Sequence, residues 1–431
     1  MRPLRLAGAA DNLTERTGMA VDSNASISAS RIFYGWFVVA GTFAVTFVGF
    51  GCAYSFSAFL MSLQHDFAAS RGSVSLVFSL AGFFYFGIGF MTGPLADRFG
   101  SRPLAVAGMI LIGIGLAAAS VARSLVEVYA AYGLGVGLGI GCSYVPAVGA
   151  VQRWFVRRRG FASGLAVSGI GVGTLIVPPL AAWLIDAVGW RETYLILGIF
   201  ALVVGVGLAL LIEDDPRARG IGADGDALSA GAQLSATAAV SIVKAIRSPR
   251  FIGLYAGCFI CSFGLFVPFA HLVPYALDHG VAQSSAVLLV GVIGVGSTAG
   301  RFLLGGVADR LGRPFSFVMM FVGMGLAFVV WLFSTSFWML AVFALAYGVF
   351  YGGFVALAPA ITGDYFGGRN APGIIGILYT SVAFGTLIGP TAAGFAFDIS
   401  HSYTLPILVS AAAYAVATAV LAATAKMPVS A

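Results

Sequence analysis

Arg301 stands in SSAVLLVGVIGVGSTAGRFLLGGVADRLG, a stretch that carries no other charge until Asp309. A cation inside lipid costs at least ~2.5–3.5 kcal/mol on insertion scales, so it must face a partner, a water-filled cavity or a ligand. A guanidinium offers two parallel N–H donors that match a carboxylate. Arg301 lies two helical turns before Asp309, about 12 Å of helix, which sets it near the middle of a hydrocarbon core about 30 Å thick. An anion site is therefore the leading expectation. The alternative is an arginine that caps carbonyls at a helix end. His271, in VPFAHLVPYALDHG between Pro268 and Pro274, is the one histidine inside an apolar run. An imidazole titrating near pH 6.5 suits proton coupling, and a neutral imidazole bonded between helices is the competing reading. Tyr54, Tyr144, Tyr351 and Tyr379 are phenols in apolar runs. Each can donate one hydrogen bond while its ring packs on a short carbon chain.

The elements that would position these groups are transmembrane helices. The chain is 59% hydrophobic and 9% charged, outside the range of soluble domains, and apolar runs of about 20 residues recur along it. Twelve spans are expected, near 35–60, 74–96, 103–122, 126–151, 161–186, 192–212, 251–276, 284–306, 314–334, 337–362, 373–396 and 403–424. Residues 213–250 read as a linker between an N-terminal bundle (31–212) and a C-terminal one (251–424). Residues 1–30 read as a disordered tail and 425–431 as a short second tail. Lys and Arg fall almost entirely on the side of the termini; Arg71, Arg123 and Arg191 alone are assigned to the opposite loops, and Arg301 alone to a span. The excess of positive charge makes the termini cytoplasmic.

The two bundles repeat in parallel. GPLADRFGSRP from Gly93 returns as GGVADRLGRP from Gly305, GTLIVP from Gly173 as GTLIGP from Gly385, and Asp186 as Asp398, all 212 residues on. Three matches at one offset point to duplication. The fold expected is an all-α membrane protein of two parallel-repeat six-helix bundles with a midplane site between them. Cys52, Cys142, Cys258 and Cys261 all lie in apolar runs and read as core residues. Gly133, Gly137 and Gly141 share one helical face, suited to close helix packing. There is no nucleophile–base set, metal cluster or phosphate loop, so neither an enzyme nor a cofactor is expected, and the net charge of +6 reflects membrane orientation rather than a nucleic-acid partner.

GPLADRFGSRP and its repeat resemble the loop signature of the major facilitator superfamily. The run from Trp154 to Gly169 (WFVRRRGFASGLAVSG), Tyr34-Gly35-Trp36 and Arg301 resemble motifs of its monocarboxylate transporter and oxalate–formate antiporter branch. The resemblance implies a secondary transporter working by alternating access, with Arg301 binding the substrate. It also implies pocket roles for Tyr144, Tyr351 and Tyr379, weaker wall roles for Tyr54 and Ile170, a proton-coupling role for Asp278 beside Arg301, and a gate made by Asp97, Arg98 and Arg102 with Asp309, Arg310 and Arg313. Three positions depart from the pattern: Ser297 replaces the acid one turn before the arginine, Phe56 stands for a helix-1 lysine, and Val382 for the helix-11 lysine that receives a second carboxylate. One buried cation suits one carboxylate. The expected cargo is a lactate- or pyruvate-like monocarboxylate moved with a proton across a bacterial inner membrane. Anion exchange is the alternative, and a non-transporting sensor a more distant one.

Overall fold

The computed structural model describes residues 33–226, 241–366 and 371–424; the expected tails lie outside them. The structure is a bundle of helices. Among the described residues, eleven are long and apolar enough to cross a membrane, and a bent pair supplies the twelfth. In chain order they are α1 (Gly35–Asp66), α2 (Arg71–Gly87 and Gly89–Phe99), α3 (Ser101–Ser120), α4 (Leu125–Trp154), α5 (Arg159–Val188) and α6 (Trp190–Ala209), then α7 (Pro249–Asp278), α8 (Gln283–Leu311), α9 (Arg313–Leu332), α10 (Phe337–Phe366), α11 (Ala371–Ser400) and α12 (Thr404–Thr424). Every expected span is present, but most run longer: α1 continues to Asp66, α2 begins at Arg71, and α7 reaches Asp278. The added turns carry polar residues that hydropathy discards but that pair across the bundle.

Three spans are broken. α1 breaks at Ser55, α7 at Phe266, and α2 bends by 50° at Ile88. Pro268 explains the break in α7, because it removes a backbone donor at the start of the second piece. The break in α1 has no proline; there the Ser55 hydroxyl donates to the Cys52 carbonyl at 2.8 Å. In lipid a freed carbonyl must find a donor. A tyrosine in the same half supplies one at both breaks. Tyr132 of α4 donates to the Cys52 and Ala53 carbonyls at 3.2 and 3.1 Å, and Tyr347 of α10 donates to the Leu265 carbonyl at 2.5 Å. Tyr132 lies on a short π-helical segment, Tyr129–Leu134.

Glycine sets how closely the helices meet. Gly133, Gly137 and Gly141 of α4 do face one helix: the atoms a Cβ would meet there belong to Leu80, Ala81, Phe84, Tyr85 and Ile88 of α2. The four cysteines are free, three of them fully buried.

The described linker is more than a spacer. Residues 213–226 fold back on the end of the N-terminal bundle through ion pairs. Glu213 meets Arg102 at 2.8 Å and Arg219 at 2.6 Å, Asp214 meets Arg153 at 2.8 Å, and Asp226 meets Arg157. The Arg219 hydrogen bond, with Arg102 beside it, holds the Glu213 carboxyl below the usual glutamate range.

Candidate functional site

Arg301 lies on α8 and is 6% exposed. Gly296 and Gly300 let α8 pack against the α10 backbone around Val349, and the long Arg301 side chain reaches the other half. Its Nη1 donates to the Val167 carbonyl of α5 at 2.8 Å. Among the described residues, Nε and Nη2 are buried and have no hydrogen-bond partner. Those two atoms form one edge of the guanidinium, the edge that binds a carboxylate bidentately. A buried donor left unmade costs about 1–3 kcal/mol, more when charged, and this residue leaves two.

Tyr351, Tyr144, Tyr54 and Tyr379 all lie close enough to Arg301 to interact with it electrostatically. They come from α10, α4, α1 and α11, so the structure gathers the expected phenols from both halves around one cation. The Tyr54 and Tyr351 hydroxyls bond to each other at 3.1 Å and bridge the halves. Both residues are buried, whereas Tyr144 and Tyr379 keep partial exposure in the interior of the bundle. Ile170 is buried on α5, one turn beyond Val167. The buried hydroxyls of Ser297, one turn before Arg301, and of Tyr85 also lack partners among the described residues.

Aromatic rings that sequence reading passed over complete the wall. Phe50 lies 5.2 Å from Tyr144, Phe86 5.9 Å from Tyr379, and Phe269 4.4 Å from Tyr54 and 5.3 Å from Tyr351. Their signal was available but faint, since 36 phenylalanines give no reason to choose these.

Two expected site residues belong elsewhere. Asp278 does not accompany Arg301. Its carboxylate takes both Nη atoms of Arg71, at 2.5 and 2.7 Å. Arg71, expected in an exposed loop, is 7% exposed at the start of α2. Its Nη1 also reaches the Tyr403 hydroxyl at 3.2 Å, and its guanidinium stacks 4.0 Å from the Phe397 ring. His271 is fully buried, with Nδ1 3.0 Å from the Tyr403 hydroxyl and Nε2 2.7 Å from the Pro390 carbonyl. Its contacts are with that cluster, at the face opposite residues 33 and 424. The two contacts satisfy both ring nitrogens, which favours the hydrogen-bonded reading of this histidine.

The expected gate residues pair within their own half. Asp97 meets Arg153 at 3.5 Å, Arg98 lies over Phe99, and Arg102 donates to the Ile212 carbonyl and to Glu213. Arg313 meets Asp364 at 2.8 Å. Arg310 is exposed, and the Asp309 side chain lies outside the described set. On the opposite face the second pieces of α1 and α7 pack together, and α2 packs on α11 along both of its pieces.

Comparison with known proteins agrees with this architecture. The model of the Major Facilitator Superfamily matches residues 41–332 and again 256–430. Monocarboxylate transporter 12-B of Danio rerio is 31% identical over 404 residues, covering 88% of this chain and 84% of that protein. Monocarboxylate transporter 3 of Mus musculus is 29% identical, covering 91% and 79%. A bacterial homologue of the human lysosomal transporter Spinster, solved in an inward-facing and occupied conformation, superposes with a TM-score of 0.68 at 16% identity, covering 93% of this chain and 98% of that one, and shares the fold. With two halves repeated in parallel, a buried arginine between them and relatives of this similarity along nearly its whole length, the chain is a multi-pass membrane transporter that belongs to the monocarboxylate transporter family of the major facilitator superfamily.

Proposed function

We propose that this protein carries a small monocarboxylate, of the lactate or pyruvate type, together with a proton. The cycle is alternating access: the anion docks on Arg301 between the halves, and the bundles rock around it. The observation that carries this reading is the free Nε–Nη2 edge of a buried guanidinium whose third nitrogen is already committed to Val167. A single carboxylate satisfies that edge and cancels the charge. No second cation stands at the position of Val382, which disfavours a dicarboxylate. The unpaired hydroxyls of Ser297 and Tyr85 favour a cargo with a second polar group beside its carboxylate. The distribution of Lys and Arg supports termini in the cytoplasm, and the compact loops and the bacterial look of the helix-7 segment support a place in a bacterial inner membrane.

The test is uptake of labelled L-lactate into proteoliposomes, with and without an inward proton gradient. The gradient is expected to accelerate uptake by the unmodified protein. Arg301→Ala is expected to abolish it, and Arg301→Lys, which keeps charge but loses the planar fork, to retain only a small fraction. Full uptake by Arg301→Ala would sink the proposal.

A further inference from the structure

The 212-residue offset extends beyond the loop motifs. Asp66, Arg71, Asp186 and Arg191 correspond to Asp278, Gln283, Asp398 and Tyr403. On the face opposite the termini these eight residues form two related sets of four, each drawn from both halves. Asp278, Arg71, Asp398 and Tyr403 meet where α7, α2, α11 and α12 converge. The other four form two pairs, Asp66 with Arg191 between α1 and α6, and Asp186 with Gln283 between α5 and α8.

The sets differ in where the cation sits. In the first, Arg71 starts α2 and its acceptors lie across the divide. Asp278 holds it bidentately, and Asp398 takes the backbone amides of Arg71 and Gly72, each at 2.9 Å. In the second, the cation is Arg191 at the start of α6. It pairs with Asp66, donates to the Ala122 carbonyl at 2.9 Å and stacks 4.2 Å from Trp190, all within the N-terminal half. The position related to Arg71 is Gln283, whose side-chain amide reaches Asp186 at 3.2 Å in an exposed setting. Charge-assisted bonds are roughly twice as strong as neutral ones, and burial spares them screening.

We infer that Arg71 is the latch of this face and positions the two halves for transport. The seam between α2, α7 and α11 holds the halves together, and the seam between α1, α5 and α8 parts first. The duplication supplied two equivalent sets. Placing the cation on α2 in one and on α6 in the other turned an ion pair within a half into an ion pair between halves. This inference rests on the alternating-access reading above.

The test reads accessibility without any substrate, so it fails or succeeds independently of the cargo. Ser79, fully buried on α2 two turns below Arg71, has a hydroxyl with no partner among the described residues, and Ser79→Cys is a mild reporter. A membrane-impermeant maleimide is applied to the full chain in sealed vesicles of each orientation, with the protein lacking the reporter as background. Arg71→Gln is expected to raise labelling from the face opposite the termini roughly fivefold or more, the lower end of typical coupling between two states. Adding Gln283→Arg to that variant is expected to bring the rate back toward the starting value, since the new guanidinium faces Asp186 across the other seam. Asp278→Asn leaves Arg71 in place and is expected to open the face as well, which guards against a folding defect particular to Arg71→Gln. Unchanged labelling in Asp278→Asn or Arg71→Gln, or a double variant as open as Arg71→Gln alone, overturns the inference.

Discussion

At Tyr54 and Tyr351 two hydroxyls from opposite halves satisfy each other in a buried site beside Arg301. Removing one strands the other, at a cost of about 1–3 kcal/mol, whereas removing both can be nearly neutral. Tyr54→Phe and Tyr351→Phe are each expected to lower thermal stability in detergent, and the double variant is expected to be less destabilised than the sum of the two; strict additivity would show that the bridge does not couple them. The residues of this site were legible in sequence to different degrees. Arg301 stood out because a lone charge in an apolar stretch has no cheap structural excuse. The tyrosines followed because they lie in apolar runs on the helices the family resemblance placed around a cavity. Arg71 was missed because an arginine beside a helix start looks like an interface anchor. Its burial comes from Asp278, Asp398 and Tyr403, each more than 200 residues away. Asp278 was chosen for the wrong partner for the same reason: sequence shows a carboxylate's depth but not its neighbours.

Among elements, α4 shows how a helix face reads out. At Gly137 an added methyl would lie 2.8 Å from the Ala81 carbonyl oxygen, a backbone atom of α2, whereas at Gly149 on the same helix it meets nothing within 4 Å. Gly137→Ala is therefore expected to destabilise the protein by about 1–3 kcal/mol, the usual cost of overpacking. Gly149→Ala is expected to stabilise it by up to about 1 kcal/mol through helix propensity. Thermal unfolding of the two variants side by side checks the pair, and equal shifts would refute the close α2–α4 contact. The glycine spacing announced that contact in advance. The break in α1 at Ser55 did not announce itself, since it has no proline and its carbonyls are met by a tyrosine about 80 residues on. Hydropathy also ended most spans too early, because their last turns carry the polar groups that bind the halves.

For the whole molecule, the duplication and the two-bundle plan were readable from the 212-residue offset, while the docked linker was not, because acids among polar residues look like solvated chain. Glu213 makes that docking sensitive to pH in a definite direction. Its carboxyl is held down chiefly by Arg219, so docking is intact at neutral pH and weakens only as pH falls through a value below the ordinary 4.5. Limited trypsin digestion at Arg217, taken relative to cleavage of an unstructured reference peptide at each pH, is expected to be constant from about pH 8 to pH 6 in the unmodified protein and faster throughout in Glu213→Gln; equal rates in the two would show that the ion pairs do not hold the segment. The tyrosine donors at the two helix breaks have a mechanical meaning. Tyr132 and Cys52 belong to one half, and Tyr347 and Leu265 to the other, so neither fracture asks anything of the opposite bundle. A broken helix splinted from within its own bundle travels as part of a stiff lever arm. Under the proposed cycle, the pieces of α1 and α7 that close the far face would swing with their bundles instead of flapping at their kinks, and a force applied at Arg71 would be felt at Arg301.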